Sequence, residues 1–375
     1  MEKKIIKLSR SNIGPEEKKA VLKVLDSNYL GMGPVVKEFE DRISKYLSRK
    51  AVCVSTGTSA IHLALQAAGV KSKDEVLVPS LTYVATFQAI TACGAIPVAC
   101  EIEEETLTIC IKDLKKKINK KTKAIIPVHY SGEVGKLDVI YSLAKKNKIR
   151  VIEDAAHAFG TIYKKKLVGS FGDISCFSFD GIKNITSGEG GCVVTNDKKI
   201  IDKIRDSRFL GINKESEKRY LKKKGYDYQV FDQGWRYHMS DIMAAIGIEQ
   251  LKKINKISKI RKNLSKEYVK ILSRNNNFKL LKINYKDVLP HIFVVKVIKK
   301  FDRNLLAKKL KEKNIEIGFH WKPAHTLKFF KKFNLNKKLP LTDKMAKQIV
   351  SLPLHTKLNK KDIQYVCKEL AAAIN

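Results

Sequence analysis

The stretch that most constrains the fold of this chain runs from Arg150 to Thr195. It holds three short β-rich runs, Val151-Ile152, Ile174 to Phe179 and Gly191 to Thr195. Each adjoins polar or glycine residues that the interior of a buried strand would not tolerate. Asp154 directly follows an apolar run, which places it at the carboxyl end of a strand, where open α/β sheets bind their ligands. Lys183 sits in a turn-like segment four residues past Phe179, and Gly188, Gly190 and Gly191 follow it.

A strand-end acid followed by a lysine on a small-residue loop is the pair that a pyridoxal phosphate (PLP) enzyme needs. The lysine forms the Schiff base, and the carboxylate keeps the pyridine nitrogen protonated so that the ring can draw electrons. Taken singly, neither residue carries that weight. A lysine in so lysine-rich a chain is by default a solvated surface group, and an aspartate at a strand end is by default a turn former or helix cap. The order and spacing of EDAAHAFG, FSFDGIKN and GEGGCVVT join them. In that arrangement the stretch resembles the DegT/DnrJ/EryC1/StrS family of sugar aminotransferases, members of the fold-type I PLP enzymes.

The rest of the chain fits an α/β protein of this size. Its 375 residues suffice for two domains and a sizeable core. Strand-to-helix units recur at AVCVSTGTSAIHLALQAAG and EVLVPSLTYVATFQAI, then with IPVACEI, KAIIPVHY and the helix through Val139 to Ala144. That alternation predicts a mostly parallel central sheet flanked by helices. Two amphipathic helices precede it: one over Ile13 to Leu25, and one bearing Val36, Phe39, Ile43 and Leu47 after the Gly31 to Pro34 loop. Past about residue 255 the sequence shifts to short strands and Lys-rich helices. HIFVVKVI reads as a strand, FDRNLLAKKLKEKNI as a helix and IEIGFHWKPAH as a strand leading into a loop. The predicted division is a large cofactor-binding domain over 1–254 and a smaller α/β domain over 255–375.

Composition excludes several classes. No apolar run approaches the roughly 18 residues of a membrane span, and the start MEKKIIKLSRS lacks a signal-peptide core, so a cytoplasmic location is expected. Seven cysteines without CxxC or Cys/His metal spacing predict reduced thiols and no metal site. No GxGxxG follows the first strand and no GxxxxGK[ST] occurs, which leaves dinucleotide and P-loop readings without support. The formal net charge of +36 invites a nucleic-acid reading. Yet lysines fall in pairs and triplets throughout, as at Lys115 to Lys117, Lys164 to Lys166 and Lys222 to Lys224, and no nucleic-acid motif accompanies them. No specific nucleic-acid partner is expected, although such a field would help steer an anionic substrate.

At Ser55 to Ser59 a strand runs into a helix N-terminus, where free N–H groups and the positive dipole end collect beside hydroxyls. The same residues would equally make an ordinary helix cap. The resemblance implies a phosphate cradle of Thr58 and Ser59, with Ser178 joining it. It further implies Tyr83 as the aromatic side chain stacked on the cofactor ring, Asp154 on the pyridine nitrogen, His157 near the ring's phenolic oxygen, and Lys183 as the Schiff-base lysine. His62 faces a helix of Ala and Leu and reads as packing. GWRYHMSDIMAAIGIEQL resembles the family segment whose Asn crosses a dimer interface to the partner's cofactor phosphate. Here that position is Arg236, whose guanidinium can hold a phosphate by a bidentate contact. IGFHWKPAH matches a C-terminal family motif and points His320 towards the substrate.

The activity implied is transfer of an amino group, from L-glutamate by family expectation, to a nucleotide-linked keto-sugar for amino-sugar biosynthesis. The implied assembly is a homodimer with shared active sites. Some relatives are sugar dehydratases with a histidine in place of the lysine, which Lys183 argues against. The sequence also leaves open cyclitol aminotransfer and a non-enzymatic basic binding protein.

Overall fold

The computed structural model describes residues 5–212, 229–333 and 338–374; the lysine triplet at Lys222 to Lys224 lies outside them. The first part of the chain supplies helices α1 (Pro15–Asp26), α2 (Pro34–Leu47), α3 (Gly57–Ala67), α4 (Val84–Ala92), α5 (Ile111–Lys117), α6 (Leu137–Asn147) and α7 (Lys198–Ser207). Between them run strands β1 (Lys50–Val54), β2 (Glu75–Pro79), β3 (Ile96–Cys100), β4 (Thr122–Ile125) and β5 (Arg150–Asp154). A small hairpin follows, β6 (Ile162–Tyr163) with β7 (Lys166–Leu167), and then β8 (Ile174–Ser178) and β9 (Gly191–Thr195). Seven of these strands form one sheet in the order β1-β9-β8-β5-β4-β2-β3. All its neighbours pair in parallel except β9, which is antiparallel to both β1 and β8.

Both faces of this sheet are covered, so its strands are near-continuous apolar runs rather than alternating ones. The period-2 geometry of a strand then divides each run between two cores. Ala51 and Cys53 of β1 join one core with Phe39, Ile43 and Leu47 of α2, while Val52 and Val54 join the other with Ile61 and Leu65 of α3. The sequence expectation for α2 holds at every residue: Val36, Phe39, Ile43 and Leu47 are all buried. Residues distant in sequence fix the start of α2. The Asp241 carboxylate accepts from the backbone N–H groups of Gly33 and Val36, each at 2.9 Å, and so caps that helix from across the fold.

Helices α8 (Asp241–Lys252) and α9 (Ile254–Leu272) lead to a three-stranded antiparallel sheet of β10 (Phe278–Leu280), β11 (Phe293–Val297) and β12 (Ile349–Leu352). With α10 (Arg303–Glu312), α11 (Pro340–Gln348) and α12 (Lys360–Ile374) it completes the chain. A separate apolar core holds Tyr268, Phe293, Val295, Leu306, Val350 and Leu370 together with Ile6 from the chain start. IEIGFHWKPAH departs from expectation. It forms isolated bridges, Ile315 to Ile6 and Gly318 to Ser351, in place of a regular strand. Its partners change within a few residues, so no continuous ladder forms. Among the described residues no helix is long and apolar enough to cross a membrane, and all seven cysteines are free thiols.

Candidate active site

The carboxyl ends of β1, β2, β4, β5 and β8 all lead into residues that border one cavity of about 460 Å³. An open α/β sheet places ligands there because the helix N-termini that follow the strands converge at that edge. Asp154 is the last residue of β5 and is buried. Its Oδ2 accepts from Thr86 Oγ1 at 2.7 Å and its Oδ1 from the Ala156 N–H at 3.2 Å. Thr82 supports Thr86, hydroxyl to hydroxyl, at 3.0 Å. The carboxylate is thus fixed in orientation by groups that donate to it.

Lys183 lies on the loop after β8, whose turn is closed by its own N–H donating to the Asp180 carbonyl at 3.0 Å. Burial pushes the pKa of its amine below the ordinary lysine value, while Asp154 and Asp180 pull it back only in part. An amine so placed is more readily unprotonated, which is what nucleophilic attack on a carbonyl carbon requires.

Gly57 opens α3 beside Ser178, the end of β8. A Cβ on Gly57 would stand 2.7 Å from the Ser178 Cβ, so only glycine lets the two chains approach this closely. Thr56, Gly57, Thr58 and Ser178 all line the cavity, presenting a helix N-terminus and hydroxyls to it. Ser59 does not line it. Its hydroxyl is taken by the cap of α3, donating to the Thr56 carbonyl at 2.8 Å and accepting from the Thr56 N–H at 3.0 Å. The Ser59 hydroxyl is thus engaged in the helix cap, and its neighbours Thr56, Gly57 and Thr58 are the residues that face the cavity.

Tyr83 lines the cavity and is 57% exposed, its ring 6.1 Å from that of Trp321. His157 is buried, and its Nδ1 accepts from the Ser131 N–H at 3.3 Å. His320 lines the wall with its Nδ1 2.7 Å from Ser351 Oγ. Burial first, then the nearby Lys183, holds the His320 pKa down at about 4. Arg236 stands apart: it is exposed and does not border the cavity of its own chain. His62 packs with Trp235 at 5.0 Å between ring centroids, as expected.

Sequence reasoning missed Thr86, Ser131, His291 and Trp321, all of which touch the cavity or its lining residues. It also missed a buried acid behind the wall. Glu153 accepts from Ser175 Oγ at 2.9 Å and pairs with His129 Nε2 at 2.7 Å, fixing the turn between β4 and the cavity. The only local sign of Glu153 was an acid adjoining Asp154.

A PLP-sized cofactor fits this set of residues. The desolvated Lys183 amine suits the aldehyde carbon, the anchored Asp154 carboxylate a protonated ring nitrogen, and the α3 N-terminus with the Thr56, Thr58 and Ser178 hydroxyls suits the phosphate.

Comparison with known proteins points the same way. The model of the DegT/DnrJ/EryC1/StrS aminotransferase family matches residues 11–371. The uncharacterised protein MJ1066 of Methanocaldococcus jannaschii is 35% identical over 94% of each chain. PseC of Helicobacter pylori, an aminotransferase involved in the biosynthesis of pseudoaminic acid, superposes with a TM-score of 0.91 at 28% identity over 99% of each chain. The PLP form of Spr1654 of Streptococcus pneumoniae, named a sugar aminotransferase, gives a TM-score of 0.90 at 28% identity over 99% of this chain and 98% of that one. With the family model spanning nearly its whole length, the chain belongs to the DegT/DnrJ/EryC1/StrS aminotransferase family.

Proposed function

We propose that this aminotransferase uses PLP to move an amino group from an amino acid, L-glutamate by family expectation, to a keto-sugar carried on a nucleotide. The observation that carries the reading is the shared cavity of Lys183 and Asp154, a desolvated amine and an anchored carboxylate, beside the α3 cradle. When bound, PLP supplies an electron sink for the carbon that exchanges its proton. Lys183 would hold the cofactor through its amine, and that amine would be the base that carries the proton. Asp154 keeps the ring nitrogen protonated, and Thr86 and the Ala156 N–H keep Asp154 in line. Gly57, Thr58 and Ser178 hold the phosphate, His157 donates to the phenolic oxygen, and Tyr83 covers the ring. His320 faces the sugar. A net charge of +36 draws the anionic nucleotide-sugar to the site.

The working unit in this reading is a homodimer. Arg236 would hold a neighbour's cofactor phosphate, a reading supported by its exposure outside the cavity of its own chain. Leu210, Val230 and Phe231 near it are 42%, 54% and 75% exposed, a cluster of apolar surface that a partner subunit would cover. The domain division at 254/255 also belongs to this reading, supported by the seven-stranded sheet before it and the three-stranded sheet after it. The test is a panel of keto-sugar nucleotides incubated with PLP and L-glutamate, products read by mass and NMR. An amino-sugar nucleotide formed in step with 2-oxoglutarate is the expected result. Amination of a cyclitol, or of no sugar at all, would overturn the substrate class.

A further inference from the structure

His291 has no part in the reading above, yet it is one of the most enclosed polar side chains at the site. It stands just before β11, lines the cavity and is only 4% exposed, and its Nδ1 is buried with no hydrogen-bond partner. Its ring centroid lies 4.2 Å from that of His157, at 46° between planes. Trp321 covers His157 from another direction at 5.2 Å and 33°.

Ser131 links the His157 ring to the backbone of His291. Its N–H donates to His157 Nδ1 at 3.3 Å, and its carbonyl accepts from the His291 N–H at 3.3 Å. Its hydroxyl donates to the Ile292 carbonyl. Ser131 adopts φ 59°, in the left-handed region that a non-glycine residue enters only at a cost. The adjoining Gly132, at φ 97°, could carry no Cβ without meeting the Leu289 carbonyl at 2.7 Å. The turn after β4 is therefore shaped to reach His157 on one side and the β11 approach on the other. The His291 carbonyl is itself fixed, accepting from Arg261 Nη1 at 3.0 Å.

A ring nitrogen that accepts a backbone N–H carries no proton of its own, so the proton of a neutral His157 must sit on Nε2. We propose that His291 is a positioning residue: with its backbone held by Ser131 and its ring packed against His157, it fixes His157 as an Nε2–H donor to the cavity. The proposal rests on the reading of His157 as the residue facing the cofactor's phenolic oxygen. The charges around the pair all favour the neutral form. Lys183 comes from the loop after β8, His320 from the segment before Trp321, and Arg261 of α9 lies behind His291. Together with burial, which is the larger cause, they push both imidazoles well below the ordinary histidine value. A plate that excludes water from His157 must be flat and apolar at its faces, but it need not be an imidazole.

Ring-15N NMR of histidine-labelled full-length protein tests this, with His157→Asn to assign the signal. In the wild type, His157 should be the Nε2–H tautomer and remain unprotonated well below its ordinary range. His291→Ala should shift its titration upward by about one pH unit or more as water enters. The absorption of the PLP-loaded enzyme should then become pH-dependent over the same range. His291→Phe should restore the wild-type tautomer and titration. An Nδ1–H tautomer in the wild type overturns the proposal, whether or not the alanine variant folds. So does an alanine variant with unchanged titration, or a phenylalanine variant that behaves like it. A wild type that binds no PLP would instead count against the cofactor reading, because the NMR arms need no cofactor.

Discussion

Thr86 Oγ1 donates to Asp154 Oδ2 at 2.7 Å, joining the first turn of α4 to the carboxyl end of β5. Without it the carboxylate keeps only the Ala156 N–H, among the described residues, to fix its orientation towards the cavity. Thr86→Val keeps the shape and removes the donor. A buried hydrogen bond to a charged acceptor contributes about 1.5–3 kcal/mol, so PLP affinity should fall roughly 10- to 100-fold. Equilibrium titration of the cofactor checks this, and Asp154→Asn should cost at least about two orders of magnitude in turnover.

Gly57→Ala tests the cradle. The added Cβ would lie 2.7 Å from the Ser178 Cβ, while alanine suits a helix start on propensity. The variant should fold, as read by circular dichroism, yet bind PLP at least about tenfold more weakly because the phosphate seat has shifted. Wild-type affinity would place the phosphate elsewhere.

Two buried imidazoles, His157 and His291, and the half-buried His320 give stability a pH dependence of known sign. Each has a folded pKa pushed below the roughly 6.5 of an unfolded histidine. Below that value the unfolded chain binds protons that the folded one refuses, so stability is full above about pH 6.5 and falls with acidification. For His320, held at about 4, the loss on reaching that pH is on the order of 3 kcal/mol before allowance for its partial exposure. Urea midpoints measured from neutral pH down to about pH 4.5 should decline, and His320→Gln should flatten the decline.

How much could be read from the sequence differs by residue. Lys183 and Asp154 could be brought together from the order and spacing of EDAAHAFG, FSFDGIKN and GEGGCVVT, and both border one cavity. Thr86, Ser131 and His291 could not, because each meets a partner 26 or more residues away: Thr86 bonds Asp154, Ser131 bonds His157, and the His291 ring packs on His157. Nothing in a threonine at a helix start announces which carboxylate it will meet. Ser59 could not be assigned from the sequence for a different reason. Caps and phosphate cradles draw on the same residue types at the same position, and only the hydrogen bonds to Thr56 tell them apart. The run IEIGFHWKPAH has the composition of a strand but finds a different partner at Ile315 and at Gly318.

Arg236 provides the test of a shared site. Lys183→Ala and a variant disabled at Arg236 should each be inactive alone and regain activity when mixed, because one hybrid site then receives both intact residues. A double mutant mixed with wild type should add none. Confirmed subunit exchange without recovery would mean that Arg236 serves its own chain.

In the proposed function cofactor attachment and proton transfer both converge on Lys183, and one measurement reaches it directly. PLP-loaded protein is reduced with borohydride, digested, and its peptides weighed. The cofactor increment should fall on the peptide containing Lys183, and it should vanish in Lys183→Ala. An increment on any other lysine, or an unmodified Lys183 peptide from fully loaded protein, would contradict the assignment.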